Sequence, residues 1–115
     1  MSEITFEDML AIQRDFEENF FDPDNMTMEE RQEWLEKFIL HAMDQCTSLL
    51  NELSWKSHER REPVEYDDVM QELVDIQKYV FAMHVVLNVD PVEFREMFME
   101  RSKEVEHRYE AEFED

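Results

Sequence analysis

With 115 residues the chain has room for one compact domain around one hydrophobic core and not for two, and a share of 43% hydrophobic and 12% aromatic residues excludes disorder by composition. The absence of glycine removes the P-loop and the dinucleotide fingerprint, whose close phosphate contacts need glycine backbone, and a single cysteine, Cys46, removes an internal disulfide and any zinc-site spacing. Against 11 basic residues stand 31 acidic ones, a formal charge of -20, which repels nucleic acid and excludes its direct binding.

The opening Met-Ser-Glu-Ile-Thr-Phe-Glu-Asp has neither the basic start nor the apolar run of a signal peptide, and no stretch reaches the length of a membrane span. A cytoplasmic protein without membrane contact is expected. Thr5 followed by Asp8 is a near miss to a capping box, and Met9, Ile12, Phe16 and Phe20 then recur at spacings of three and four, predicting a short first helix closed by Asp22-Pro23-Asp24-Asn25.

Thr27 with Glu30 forms a capping box, and Trp34, Phe38, Ala42, Cys46, Leu49 and Leu53 predict one apolar stripe along a long second helix running to about Trp55. From Lys56 to Pro63 there is no apolar period, only the one local cluster of positive charge, so a connecting loop is expected. Val69, Met70, Leu73, Ile76, Val80, Met83 and Leu87 follow Tyr66 at helical spacing, and the apolar later part marks a central, buried third helix broken at Asn88. Asp90-Pro91 with Glu93 supplies an N-cap, a first-turn proline and a capping partner for a last helix, whose apolar side is Phe94, Met97, Phe98, Val105, Tyr109 and Phe113 and whose acid-rich end from Glu104 should fray. The expected fold is all-α: a single domain over residues 1–115, a bundle of one short and three long helices completed by a second copy in a homodimer.

Glu72 and Asp75 lie at i and i+3 on one face of the third helix, where paired carboxylates can hold magnesium jointly with substrate phosphates. His41 and His84, inside amphipathic helices, read as structural, and the nine methionines read as core filler. Most of the charge reads as solvated helix faces, with docking on a basic protein surface as the sharper alternative.

The segments Leu49-Leu50-Asn51-Glu52-Leu53-Ser54-Trp55-Lys56, Gln71-Glu72-Leu73-Val74-Asp75-Ile76, Asn88-Val89-Asp90 and Lys103-Glu104-Val105-Glu106-His107-Arg108 together resemble the all-alpha nucleoside triphosphate pyrophosphatases, in particular the dimeric dUTPase branch related to MazG, over roughly residues 35–110. That resemblance implies two acidic pairs on facing helices that hold magnesium against a triphosphate. Glu72 and Asp75 match the second pair, Lys56 the lysine after the tryptophan, and Lys103 and Arg108 cationic residues near the phosphates, with Trp55 a candidate to stack on a base. The first pair falls on Gln45 and Ser48, which are neutral, and Glu106 stands where an asparagine is expected. Losing two of four carboxylates weakens the hold on a divalent ion, so no residue is assigned as catalytic.

The reading favoured by the sequence is a catalytically impaired or inactive relative of these enzymes that binds a nucleotide, such as a pyrimidine deoxynucleotide, or a protein. Two alternatives stay open: an active magnesium-dependent deoxynucleoside triphosphate pyrophosphatase, and an acidic mimic of DNA that inhibits a basic DNA-binding protein.

Overall fold

A computed structural model describes residues 3–113 except 57, 59, 61 and 62. It consists of four helices, α1 (Phe6–Glu17), α2 (Met28–Glu52), α3 (Tyr66–Val86) and α4 (Pro91–Phe113), with no strand among the described residues. No helix among them is long and apolar enough to cross a membrane.

The helix starts follow from the caps. Thr5 accepts from the Asp8 amide at 3.1 Å while the Asp8 carboxylate accepts from the Thr5 amide at 2.9 Å, so aspartate closes the box as glutamate does. Thr27 and Glu30 repeat the pattern. At α4 the Asp90 carboxylate accepts from the Val92 amide at 3.0 Å. Between α1 and α2, the Asp22 carboxylate accepts from the Asp24 amide and the Asn25 side chain, which fixes the turn around buried Pro23. Helix α2 stops at Glu52, three residues before the expected end, because Ser54 turns into the left-handed region with φ of 49°. The loop expected over Lys56 to Pro63 falls partly outside the described residues.

Helix α3 is central, as its apolar run predicts: Phe81, Ala82, Val85 and Val86 are buried, packed against α1 on one side and α2 on the other. Phe81 and Val85 join Leu10 of α1, Ala82 and Val86 join Phe38 of α2, and Phe21 touches both groups. Arg31 of α2 ties this end together by donating to the carbonyls of Val86 and Pro23. Helices α2 and α3 run antiparallel, with Phe38 near Tyr79 and Glu52 near Glu72.

The expected apolar side of α1 is exposed throughout, and those of α2, α3 and α4 are used only in part, with Met70 and Leu73 of α3 and its C-cap Leu87 exposed. In α1 the buried line is Leu10, Gln13 and Glu17, while Met9, Ile12, Phe16 and Phe20 are exposed. The Phe6–Leu10 side wins because Phe6 stacks on Phe94 at 5.4 Å and packs on Phe81, contacts the other side does not match. In α2, Trp34 and Phe38 face the core, but Cys46 and Leu53 are exposed. In α4 Phe94 packs inward beside half-buried Pro91, with Arg95 paired to Glu7. Every residue from Arg95 to Glu112 is exposed, although the helix continues to Phe113, whose side chain lies outside the described set.

Candidate functional site

The residues best placed to form a site lie where α1, α2 and α3 meet. Gln13, Phe16 and Glu17 of α1, Gln45 of α2, and Asp75, Lys78 and Tyr79 of α3 line one pocket of about 300 Å³. Gln45 and Asp75, 30 positions apart in sequence, come together because the antiparallel register of α2 on α3 is set by the Phe38–Ala82–Val86 packing. Tyr79 is held in the wall by the His41 imidazole, stacked at 5.5 Å.

Two polar side chains are buried there. Gln13 donates to the Glu17 carboxylate at 3.1 Å, and both are almost wholly enclosed. Burial raises the Glu17 pKa from the usual carboxylate range, opposed by the Gln13 hydrogen bond and the Lys78 charge. The pocket therefore offers amide donors and acceptors, a carboxyl inclined to hold its proton, a cation and an aromatic ring. Gln13 and Glu17 escaped the sequence reading because apolar periodicity does not flag polar residues. The signal was the line Phe6, Leu10, Gln13, Glu17, Phe21, which keeps helical spacing.

One to two turns along α3 toward its amino end, a second acidic group forms. Oε2 of Glu72 is buried, and no donor among the described residues reaches it. Its neighbour is the Glu52 carboxyl of α2, itself exposed to solvent and close enough for a hydrogen bond when one of the two carries a proton. That hydrogen bond, then burial, then the charges of Glu52, Asp75 and Asp68 raise the pKa of Glu72. Glu52 thus sits opposite the Glu72–Asp75 pair, one turn from exposed Ser48. Among the described residues no three His, Cys, Asp or Glu side chains converge in a metal-holding arrangement.

The other sequence candidates are more scattered. Trp55 and Lys56 follow the end of α2, exposed, with the Trp55 indole donating to Asn51 at 3.2 Å. Lys103 lines a hollow with Arg95, Glu96, Met99 and Glu100, all of α4, and Arg108 and Glu106 are exposed further along that helix. His84 has a structural setting: its ring lies 4.5 Å from Phe94 and 6.0 Å from both Phe6 and Phe81, with Nδ1 buried and without a partner among the described residues, and burial lowers its pKa. No family model, curated protein or solved structure matches this chain.

Proposed function

We propose that the chain is a nucleotide-binding module on a pyrophosphatase-like helical scaffold, with a catalytic site too depleted of carboxylates for efficient turnover, and that its ligand is a pyrimidine deoxynucleotide chelated to magnesium. The observation that carries this reading is the pocket shared by Gln13, Glu17, Gln45, Asp75, Lys78 and Tyr79. Its volume of about 300 Å³ suits a base and sugar. The Gln13 amide and the Glu17 carboxyl present the alternating donors and acceptors that a pyrimidine edge carries, and Tyr79 and Phe16 offer ring faces.

The phosphates would extend along α3 toward Glu72. Magnesium would be held by Glu72 and Asp75 with the nucleotide's own oxygens, and would supply the charge neutralisation that this acidic surface otherwise denies a triphosphate. The donorless Glu72 oxygen fits such an ion. Across the groove, Gln45 and Ser48 add no charge, and Glu52 alone supplies a third carboxyl. An ion there would be weakly fixed, and a step that needs its positioning would be the one most impaired. Lys56 and Trp55, just past the end of α2 that carries Glu52, are the nearest candidates to meet phosphate or base from the loop. Lys103 and Arg108, on the exposed length of α4, would have to come from a second copy.

Titration calorimetry with dUMP, dUTP, dCTP and dTTP, each with and without magnesium, tests the reading. Saturable binding of a pyrimidine nucleotide, enhanced by magnesium and weakened by Lys78→Ala, supports it. No heat with any of the four contradicts it.

A further inference from the structure

The folded chain exposes far more surface than its size warrants. A compact monomer of 14.2 kDa presents about 6,800 Å², whereas this chain presents 9471 Å². Its radius of gyration is 17.9 Å, against about 13 Å for a compact domain of this length. The surplus is several times the roughly 800 Å² that each partner contributes to an ordinary stable interface.

One part of that surface is patterned. Ile39, Met43, Cys46 and Leu50 of α2 and its C-cap Leu53 follow one another at spacings of four, three, four and three, the repeat of a coiled-coil seam, and all are exposed. Met43 is 60% exposed and the adjoining Leu40 65%. The stripe is rotated by about 100° from the Phe38–Ala42–Leu49 line that faces α3, so α3 cannot cover it. Between Lys37 and Glu52, Asp44 is the one formally charged side chain, in a protein that is 37% charged.

We infer that this stripe is a self-association surface, and that α2 packs against α2 of a second copy in antiparallel orientation about a twofold axis at Cys46. The stripe is close to symmetric about that residue, with Ile39 and Leu53 each seven positions away. An antiparallel pair centred there lays Ile39 beside the partner's Leu53 and Met43 beside the partner's Leu50, and opposes the two helix dipoles. Charge selects this orientation over the parallel one. A parallel pair sets Glu29, Glu30, Glu33 and Glu36 next to their own copies. The antiparallel pair carries them past the end of the facing helix, which stops at Glu52. Two chains of charge -20 repel at long range, so an apolar seam between them strengthens as salt screens that repulsion. Docking driven by opposite charge weakens with salt.

The surface does not depend on nucleotide binding, and the two readings fail separately, since calorimetry reports the pocket and mass reports the seam. The experiment is light scattering of the full chain after gel filtration at low and high salt. Beside it, Cys46 is trapped with a short thiol-to-thiol cross-linker in dilute wild-type protein. The expected result is a dimer that tightens with salt, a covalent Cys46 pair, and at least about a 100-fold weaker association in Met43→Glu/Leu50→Glu at unchanged helical circular dichroism. If the double variant loses helicity, the cross-link and salt response of wild type decide. A monomer under all salt conditions, or a dimer that neither cross-links at Cys46 nor responds to the folded double variant, overturns the inference.

Discussion

Glu52 and Glu72 bring two carboxyl groups together across the α2–α3 groove, and no donor among the described residues reaches the buried Oε2 of Glu72. The native state therefore holds the Glu72 proton to higher pH than the unfolded chain does. Stability gained from that proton is present at acidic pH and lost as pH rises through the elevated native pKa. Glu52→Gln, which keeps a hydrogen-bond donor and removes the repulsion, should raise the urea midpoint at pH 7, with an advantage that shrinks below pH 5. An equal midpoint for variant and wild type at both pH values would contradict the pairing.

His84 works in the opposite direction. Surrounded by Phe6, Phe81 and Phe94, it is held neutral, with a pKa below its ordinary 6.5. Stability should fall as pH drops below that unfolded value, since the unfolded chain takes up a proton that the native ring resists, and the loss is complete below the depressed native pKa. His84→Leu should flatten the thermal midpoint between pH 7.5 and 5.5. A proton NMR titration of the wild-type ring checks the direction.

Asn88 closes α3 with φ of 53°, accepts from Arg14 at 2.8 Å and donates to Asp24 at 3.3 Å, joining α1, the α1–α2 turn and the end of α3. Asn88→Ala should destabilise by roughly 1–2 kcal/mol, through the left-handed backbone and the lost bonds. Asn88→Gly should cost less, because glycine takes that backbone freely. Equal losses in the two variants would show that backbone conformation contributes nothing there.

The proposed function rests on Gln45 and Ser48 standing where the resembled enzymes carry acids, and acidic replacements test it. Gln45→Glu/Ser48→Glu places two carboxylates on α2 facing Asp75 and Glu72, and should raise magnesium-dependent pyrophosphate release by about tenfold or more over the unaltered chain. It should also destabilise the metal-free protein through added like-charge crowding. An unchanged rate with bound nucleotide would place the defect elsewhere, for example at Glu106.

Helix starts were readable from sequence because caps are local: Thr5 with Asp8, Thr27 with Glu30, and Asp90 before Pro91 each act within four residues. The central place of α3 was readable too, from its nearly continuous apolar run. The choice of buried face on α1 was not. Met9–Ile12–Phe16 and Phe6–Leu10 are both apolar, and what decides is Phe81 and Phe94, 75 or more positions from Phe6. For the same reason Gln13 and Glu17 of the pocket were missed, while Glu72 and Asp75 were singled out by their i, i+3 spacing. That Glu52 meets Glu72 depends on how the loop between α2 and α3 sets their register, which no periodicity encodes.

The central claim is that the groove binds a nucleotide without efficiently turning it over. Phosphorus NMR of dUTP with magnesium and stoichiometric protein tests both halves in one spectrum, with Glu72→Ala beside it. The expected result is shifted or broadened triphosphate resonances that persist for hours with wild type and return toward their free positions with Glu72→Ala. Rapid appearance of dUMP and pyrophosphate, abolished in Glu72→Ala, would contradict the impaired site; resonances unmoved by wild type, with dUTP and with the other pyrimidine triphosphates alike, would contradict the binding.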